Sequence, residues 1–246
     1  MMEIIKVNSY EEMSKTAADY IIRKVRQHPE ATLGLATGST PVGTYKRLIE
    51  DHQGNKTTYK KVTTFNLDEY IGLSGENPQS YRYFMDSVLF NHLDIQKENT
   101  FVPNGTAEDL GEECRNYESK LKNHGGIDLQ ILGIGNNGHI GFNEPGTSFS
   151  SKTHIVDLAD STIKANARFF HTIEEVPTQA ITMGISTIMQ SREILLLASG
   201  EAKADAIQKL LGNGVNEHFP ASILKNHPNV KVIADEAALS ASKVSV

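Results

Sequence analysis

The length, composition and charge of the chain limit the kinds of protein it can be. It has 246 residues, 22% of them charged and 39% hydrophobic, with a net charge of −6 at pH 7. These fractions are ordinary for a globular protein, and the length fits one domain better than two. A nucleic-acid-binding protein usually carries a basic stripe, whereas the basic runs here are short and mixed with neutral residues. The composition therefore argues against a nucleic-acid partner but leaves small anions as ligands.

Cysteine content and the length of apolar runs indicate in which cellular compartment the protein functions. The single cysteine, Cys114, excludes an intrachain disulfide and a cysteine-based zinc finger, which favours a reducing compartment. The N-terminus has no apolar signal-peptide region, and the longest aliphatic run, 194–198, is five residues. A membrane-spanning helix needs roughly 20 consecutive apolar residues. We therefore expect a cytoplasmic protein without a membrane partner.

Helical and strand-like patterns of apolar residues alternate along the whole chain, with no linker or repeat between them. The first helix is predicted over Tyr10–Gln27, with Ser9 and Glu12 as a capping box. Buried strands are predicted at residues 32–36, 62–66, 127–133, 180–184, 193–199 and 230–234. Further helices are predicted between and after them, at residues 42–50, 80–90, 107–122, 201–211 and 235–242.

Most of the predicted strands are apolar throughout, which is typical of a parallel sheet covered on both faces. Their alternation with helices predicts a single α/β domain over residues 1–246, with a doubly wound, mostly parallel, Rossmann-like sheet and helices on both faces. In such folds the active site lies at the carboxyl ends of the strands. The segment 160–177 is amphipathic but not tied to a strand, and we interpret it as a mobile lid.

The first candidate segment follows the first buried strand and contains Thr37, Gly38, Ser39 and Thr40. Pro41 can begin a helix directly after them. Glycine backbone, hydroxyl groups and a helix N-terminus together can hold a phosphate, although the lysine of a P-loop is missing. The alternative is an ordinary Ser/Thr cap of the helix, since capping selects the same residues.

Two adjacent carboxylates, Asp68 and Glu69, stand where the second buried strand ends. Partial burial there would raise the pKa and the basicity of a carboxylate, as a general base that removes a proton from carbon requires. In the alternative interpretation, Asp68 caps the next turn and Glu69 faces water. We therefore treat Asp68 as a catalytic candidate and Glu69 as a secondary one.

The third candidate segment, residues 133–146, is rich in glycine and follows another buried strand. Gly133, Gly135 and Gly138 match the G-x-G-x-x-G pattern of dinucleotide-binding proteins. That pattern must open a helix, and the prolines and glycines up to Pro145 leave room for about one turn only. The sequence of this segment therefore argues against NAD or FAD binding and favours a different function for its glycines.

The same segment carries His139 and Glu144 close together, with Asn136 and Asn137 beside them. Histidine titrates near neutral pH, and a carboxylate can fix its tautomer and raise its basicity. Glycine residues lose much conformational entropy when the chain folds, and a glycine-rich segment usually serves to let a ligand approach the backbone closely. A surface histidine and a metal ligand are the alternatives, but no second ligand follows at a recognisable metal-site spacing. We therefore expect His139 and Glu144 to act as a proton-transfer pair.

Two cations complete the set of candidates. Lys203 lies in the first turn of the helix predicted at 201–211, where a positive charge is unfavourable unless an anion is near. Arg168 lies in the segment interpreted as a lid. Both are candidates to bind a phosphate, and solvated surface residues are the alternative.

Taken in order, the segments 36–41, 65–70, 138–145 and 167–170, with the residues around Lys203, closely resemble the glucosamine-6-phosphate deaminase family, within the glucosamine/galactosamine-6-phosphate isomerases. The resemblance covers nearly the whole chain, and the blocks at 65–70 and 138–145 are its most specific part. It implies that glucosamine 6-phosphate and water become fructose 6-phosphate and ammonia, in amino-sugar catabolism. It also implies that no metal or organic cofactor takes part.

The resemblance implies a role for each candidate residue. Asp68 would move a proton from C2 to C1 of the sugar, and His139, oriented by Glu144, would open the sugar ring. Where many members of the family carry an aspartate, this chain has Asn137, whose amide can only form hydrogen bonds. The sugar phosphate would be held by Thr37, Gly38, Ser39, Thr40, Arg168 and Lys203.

Two other functions stay open at this point. A related sugar-phosphate isomerase or lactonase would share the scaffold, but a lactonase has no carbon-bound proton for Asp68 to remove. A non-catalytic sugar-phosphate sensor would normally carry a helix-turn-helix at one end, and neither end of the sequence shows that pattern. Whether the chain is a monomer or a homo-oligomer is not predicted.

Overall fold

A parallel sheet of seven strands forms the centre of the computed structural model, which describes residues 2–159, 162–163, 167, 170, 172, 175–212 and 214–242. Arg168 and much of the predicted lid at 160–177 lie outside the described residues. The strands of the main sheet lie in the order β1-β10-β9-β6-β2-β3-β5. In chain order the strands are β1 Glu3–Val7, β2 Thr32–Leu35, β3 Thr63–Asn66, β4 Asp68–Tyr70, β5 Thr100–Phe101, β6 Leu129–Leu132, β7 His154–Asp157, β8 Gln179–Thr182, β9 Ile194–Ala198 and β10 Val230–Asp235.

The helices between the strands follow the predicted order. The first begins and ends as predicted, and the Ser9 hydroxyl accepts a hydrogen bond from the backbone N–H of Glu12. No helix in the described part of the chain is long and apolar enough to span a bilayer. The helices are α1 Tyr10–Gln27, α2 Val42–Asn55, α3 Tyr81–Val88, α4 Leu110–Asn123, α5 Ile185–Ile188, α6 Ala204–Leu211 and α7 Glu236–Leu239, with 3₁₀ turns at Phe90–His92, Lys97–Asn99, Glu201–Lys203 and Pro220–Asn226.

Both faces of the main sheet are buried, each in its own hydrophobic cluster. Along β9, Ile194 and Leu196 belong to the cluster that α4, α6 and α7 cover, while Leu195 and Leu197 belong to the cluster under α1, α2 and α3. Burying each of these side chains contributes roughly 1.5–3 kcal/mol. Because neither face meets water, the strand sequence is apolar at every position. The predicted fold class, a mostly parallel doubly wound sheet with helices on both faces, is confirmed.

The strand predicted at 180–184 was expected in the parallel sheet, and this prediction is wrong. Strand β8 pairs antiparallel with β4 and with β7, so it belongs to a separate sheet of three strands. Its residue Ala180 packs in a third cluster with Tyr70, Phe142 and Leu158. A short apolar run indicates burial but not the direction of its partner strands. The edge strands β1 and β5 were not predicted, since they are short or partly polar.

The position of the functional segments follows from the strand order. After β2 the chain continues to its neighbour β3, whereas β6, on the other side of β2, is paired to β9. The chain therefore departs in opposite directions from the carboxyl ends of β2 and β6. A crevice for ligands opens at such a switch point. The segments that follow β9, β6, β2 and β3 lie side by side around it.

Candidate active site

Segments that follow these four strands line a single pocket of about 470 Å³ at the carboxyl ends of the sheet. A pocket of that size is within the range of small-molecule sites. It brings together all the site residues predicted from the sequence except Glu69, Glu144 and Arg168. The lining residues are Ala36, Thr37, Gly38, Ser39, Thr40, Leu67, Asp68, Tyr81, Gly133, Ile134, Gly135, Asn136, Asn137, His139, Gly141, Phe142, Thr162 and Lys203.

One wall of the pocket is the turn between β2 and α2. Gly38 has a φ of 84°, a conformation that side chains rarely adopt, and a Cβ there would meet nothing within 4 Å. The turn is fixed from behind, since the Tyr45 hydroxyl donates to the carbonyl of Ala36 at 2.6 Å. The Tyr10 hydroxyl likewise donates to the carbonyl of Ser39 at 3.0 Å. A glycine turn with hydroxyl side chains at a helix N-terminus suits an anion.

Lys203 lies beside this turn, at the end of the 3₁₀ turn that follows β9. Its Nζ donates to Oδ1 of Asn136 at 2.9 Å, and burial lowers the pKa of the ammonium group. The preceding backbone is held by the buried carboxylate of Asp235, which accepts from the Ser199 hydroxyl and from the N–H of Gly200. A second cation predicted here, Arg168, lies outside the described residues.

Asp68 faces the pocket from the first position of β4. The residue is 6% exposed, and within the described residues no group donates a hydrogen bond to its carboxylate. Burial, together with the nearby charge of Glu69, raises the pKa of Asp68 to about 8. The third segment lies close to this carboxylate at Gly141, which has a φ of 59° and where a Cβ would stand 3.0 Å from the Thr182 hydroxyl and 3.6 Å from Oδ2 of Asp68. A buried carboxylate without a partner is basic enough to remove a proton from carbon.

Glu69, the secondary candidate, points away from the pocket. The residue is 2% exposed, and its carboxylate accepts hydrogen bonds from the backbone N–H groups of Tyr70, Tyr81 and Arg82, each at 2.9 Å. Burial raises its pKa, and these N–H groups act in the opposite direction. The neighbouring carboxylates therefore have different surroundings, because successive side chains of a strand point to opposite faces. The contacts of Glu69 are those of a group that anchors the start of α3.

The imidazole of His139 forms the floor of the pocket. Its ring lies against the backbone of Gly135, where a Cβ would stand 2.3 Å from Cε1 of the ring. Nδ1 of His139 lies 3.5 Å from Oε2 of Glu144, which is longer than an ordinary hydrogen bond. Gly135 is therefore required by the position of the ring, independently of any dinucleotide pattern. The described residues 133–150 form turns and one isolated bridge, with no helix after the glycines.

Glu144 lies behind the ring and is held by neutral donors. Asn137 Nδ2 donates to Oε2 at 2.6 Å, and the Thr162 hydroxyl donates to Oε1 at 2.7 Å. Burial tends to raise the pKa of Glu144, but the contacts with His139, Thr162 and Asn137 prevail and lower it to about 2. Glu144 is therefore a fixed negative charge at neutral pH. Asn137 can donate to it, which an ionised aspartate at that position could not.

Two lining residues, Tyr81 and Thr162, were not predicted. Tyr81 begins α3, and its hydroxyl donates to that of Tyr70 at 3.1 Å. Thr162 follows β7 and contacts Glu144, 18 residues away in the sequence. Neither residue belongs to a motif or stands directly after a strand of the main sheet. Only the three-dimensional contacts place them in the site.

A glycine turn at a helix N-terminus that shares one small pocket with a buried carboxylate and a histidine suits an enzyme that holds an anionic substrate at one end and acts on it at the other. The chain belongs to the family described as glucosamine-6-phosphate isomerases/6-phosphogluconolactonase, whose model matches residues 8–233. The family predicted from the motifs is thereby confirmed.

Individual relatives place the chain more closely within the family. The glucosamine-6-phosphate deaminase of Geobacillus sp. (strain WCH70) is 60% identical over 239 residues, covering 97% of this chain and 95% of the relative. The solved structure of a monomeric glucosamine-6-phosphate deaminase has a TM-score of 0.96 at 50% identity, covering 98% of this chain and 100% of its own. A 6-phosphogluconolactonase structure from Trypanosoma brucei has a TM-score of 0.78 at 20% identity, covering 98% of each chain, and shares the fold alone.

Proposed function

We propose that this enzyme converts glucosamine 6-phosphate and water into fructose 6-phosphate and ammonia, in amino-sugar catabolism. Relatives 50–60% identical over nearly the whole chain carry that activity in their names. The observation in the structure that supports it most is that Asp68, a buried carboxylate to which no described residue donates a hydrogen bond, lines the same pocket as the glycine turn at the start of α2. The proposal includes a cytoplasmic location, which the single cysteine favours.

The phosphate binds to the turn of Thr37, Gly38, Ser39 and Thr40. Lys203 neutralises part of its charge by exchanging its bond to Asn136 for the phosphate, and Arg168 supplies the second cation. Binding the phosphate at one end fixes the sugar carbons at the other end. In this way the binding energy of a remote group contributes to the reaction at C1 and C2.

His139 opens the pyranose ring by moving a proton between the anomeric hydroxyl and the ring oxygen. The imidazole can take and return a proton near neutral pH. Glu144 stays ionised, stabilises the imidazolium and fixes the direction of the ring, while Asn137 holds Glu144 by a hydrogen bond. The task of a second acid at position 137 therefore falls on His139 and Glu144.

Asp68 then removes the proton from C2 of the open-chain sugar, and the electron pair left on C2 forms a double bond to C1. The carbonyl oxygen at C1 takes a proton from water, which gives an enolamine. The same carboxyl group returns the proton to C1, which leaves an imine at C2. Water adds to the imine, and the carbon–nitrogen bond breaks with release of ammonia and formation of the ketone. Each proton in these steps is carried by a residue of this chain or by water.

The direct experiment is to mix the purified protein with glucosamine 6-phosphate and to measure ammonia and fructose 6-phosphate. Equimolar formation of both is expected. A lactonase is the second candidate, since it shares the fold, and hydrolysis of 6-phosphogluconolactone without ammonia release from the amino sugar would favour it. The sequence position that separates the two is Asp68, which only the isomerisation needs.

The pH dependence of the reaction is expected to report Asp68. Because burial raises its pKa to about 8 and the base must be ionised, kcat/KM of the free enzyme should fall about tenfold for each unit below that value. The basic side of the profile should not depend on Asp68. Measurement of kcat/KM from pH 6 to 9 tests this, and a flat profile between pH 6 and 8 would speak against Asp68 as the base.

Substitution Lys203→Ala is expected to weaken phosphate binding. Loss of one charged hydrogen bond to a phosphate costs about 1.5–3 kcal/mol, so KM should rise by roughly ten- to a hundredfold. The matched control is Lys209→Ala, which removes an exposed lysine of α6, the helix that begins directly after Lys203, and should leave KM unchanged. Inhibition by inorganic phosphate gives an independent readout. If phosphate inhibits the Lys203 variant as strongly as the parent, the anion is bound elsewhere.

A further inference from the structure

Thr162 connects the chain after β7 to the catalytic segment. It is 9% exposed and lines the pocket, and its backbone N–H donates to the carbonyl of Ala159 at 2.8 Å. Its hydroxyl donates to Oε1 of Glu144 at 2.7 Å. This contact joins two segments that the sequence separates and that the fold brings to the same wall of the pocket.

The two oxygens of Glu144 are held by different groups. Thr162 holds Oε1, whereas Asn137 holds Oε2 at 2.6 Å. Oε2 is also the oxygen that faces Nδ1 of His139, at 3.5 Å. Nδ1 is buried and has no hydrogen-bond partner within the described residues. The terminal torsion of a glutamate is soft, so a donor on each oxygen is what fixes the plane of the carboxylate.

We infer that Thr162 is a positioning residue for ring opening, which acts on His139 through Glu144. Without the hydroxyl, Oε1 loses its donor and the carboxylate can turn away from the imidazole. The imidazole then loses the group that fixes its direction and stabilises its charged form. The inference rests on the proposed function, since it assigns Thr162 a part in that reaction.

Substitution Thr162→Val keeps the shape of the side chain and removes the donor. We expect kcat with glucosamine 6-phosphate to fall about tenfold, as for loss of one hydrogen bond to a charged group, while KM stays within about twofold. Thr162→Ser restores the hydroxyl and should keep kcat within about threefold of the parent. If Thr162→Val does not fold, Thr162→Ala gives the same comparison with Thr162→Ser.

Whether Thr162 acts on His139 through Glu144 is tested in a double-mutant cycle with Glu144→Gln. If Thr162 acts through Glu144, Thr162→Val should change kcat less than about twofold in that background. An equal loss in both backgrounds would overturn the inference, as would an unchanged kcat of Thr162→Val in the parent. A loss in Thr162→Ser as large as in Thr162→Val would also overturn it, since the hydroxyl would then not be the cause.

Thr187→Val provides the matched control. The Thr187 hydroxyl also donates to a glutamate, Oε1 of Glu118, at 2.7 Å, but neither residue lines the pocket. Loss of the Thr187 hydroxyl should lower the melting temperature and leave kcat unchanged. A fall of kcat in Thr187→Val as large as in Thr162→Val would overturn the inference. Ammonia release by the parent is measured first. An inactive parent rejects the proposed function, whereas an active parent with an equally active Thr162→Val variant rejects the role of Thr162 alone.

Discussion

Substitution Asp68→Asn should lower kcat by roughly 10² to 10⁴ and leave KM nearly unchanged, as loss of a general base does. The amide keeps the size and position of the side chain, so the phosphate end of the substrate still binds. An amide cannot take the proton from C2, because it is not basic at neutral pH. Steady-state kinetics of ammonia release measure the effect. Turnover equal to that of the parent would remove Asp68 from the mechanism.

The same variant should be more stable than the parent in mildly alkaline solution. The folded pKa of about 8 lies above the ordinary carboxyl value near 4, so ionising Asp68 costs stability as the pH rises between the two values. Asn avoids that cost, and each kcal/mol regained should raise the melting temperature by about 2 to 4 °C. Asp19→Asn, an exposed partner of Lys15 on α1, is the control that should alter neither activity nor this pH dependence.

Substitution His139→Gln should slow the reaction of the cyclic sugar by roughly 10² to 10³, since it removes the acid–base group for ring opening. The rate with the open-chain form of the substrate should fall less, because that form does not need ring opening. Ring opening should then limit the rate, so the isotope effect of deuterium at C2 on kcat should disappear. Equal losses for both forms, with the isotope effect retained, would assign His139 to another step.

His92→Gln is a suitable control for the histidine substitution. His92 is exposed and lies in the 3₁₀ turn after α3, and among the described hydrogen bonds its imidazole contacts only the carbonyl of Ser87. Its replacement should leave both the rate and the isotope effect unchanged. A change in the control would indicate that loss of any imidazole perturbs the fold.

The main features of the fold follow from local patterns in the sequence. Helix α1 matches its prediction because the cap, the apolar stripe and the ending all agree, and β9 is apolar because helices cover both of its faces. Strand β8 shows that local patterns do not predict which strands pair with each other. Its apolar residues report burial, but pairing with β4 and β7 depends on how the whole chain packs.

The site was predictable to the extent that it lies on segments directly after parallel strands. Asp68, His139 and the turn around Gly38 stand at such positions, so their convergence follows from the topology. The different surroundings of Asp68 and Glu69 depend on which way each side chain of β4 points. The contact of Thr162 with Glu144 depends on tertiary packing, and no local pattern indicates it.

Transfer of deuterium from C2 to C1 tests most directly whether the anchored sugar meets the buried carboxylate of Asp68. Glucosamine 6-phosphate labelled with deuterium at C2 is converted by the parent enzyme in ordinary water, and the fructose 6-phosphate formed is analysed by NMR. Because Asp68 is shielded from bulk solvent, we expect part of the label at C1 of the product, with ammonia formed in equal amount. A product whose C1 carries hydrogen from water alone, with every deuterium lost to solvent, would contradict transfer by this carboxylate.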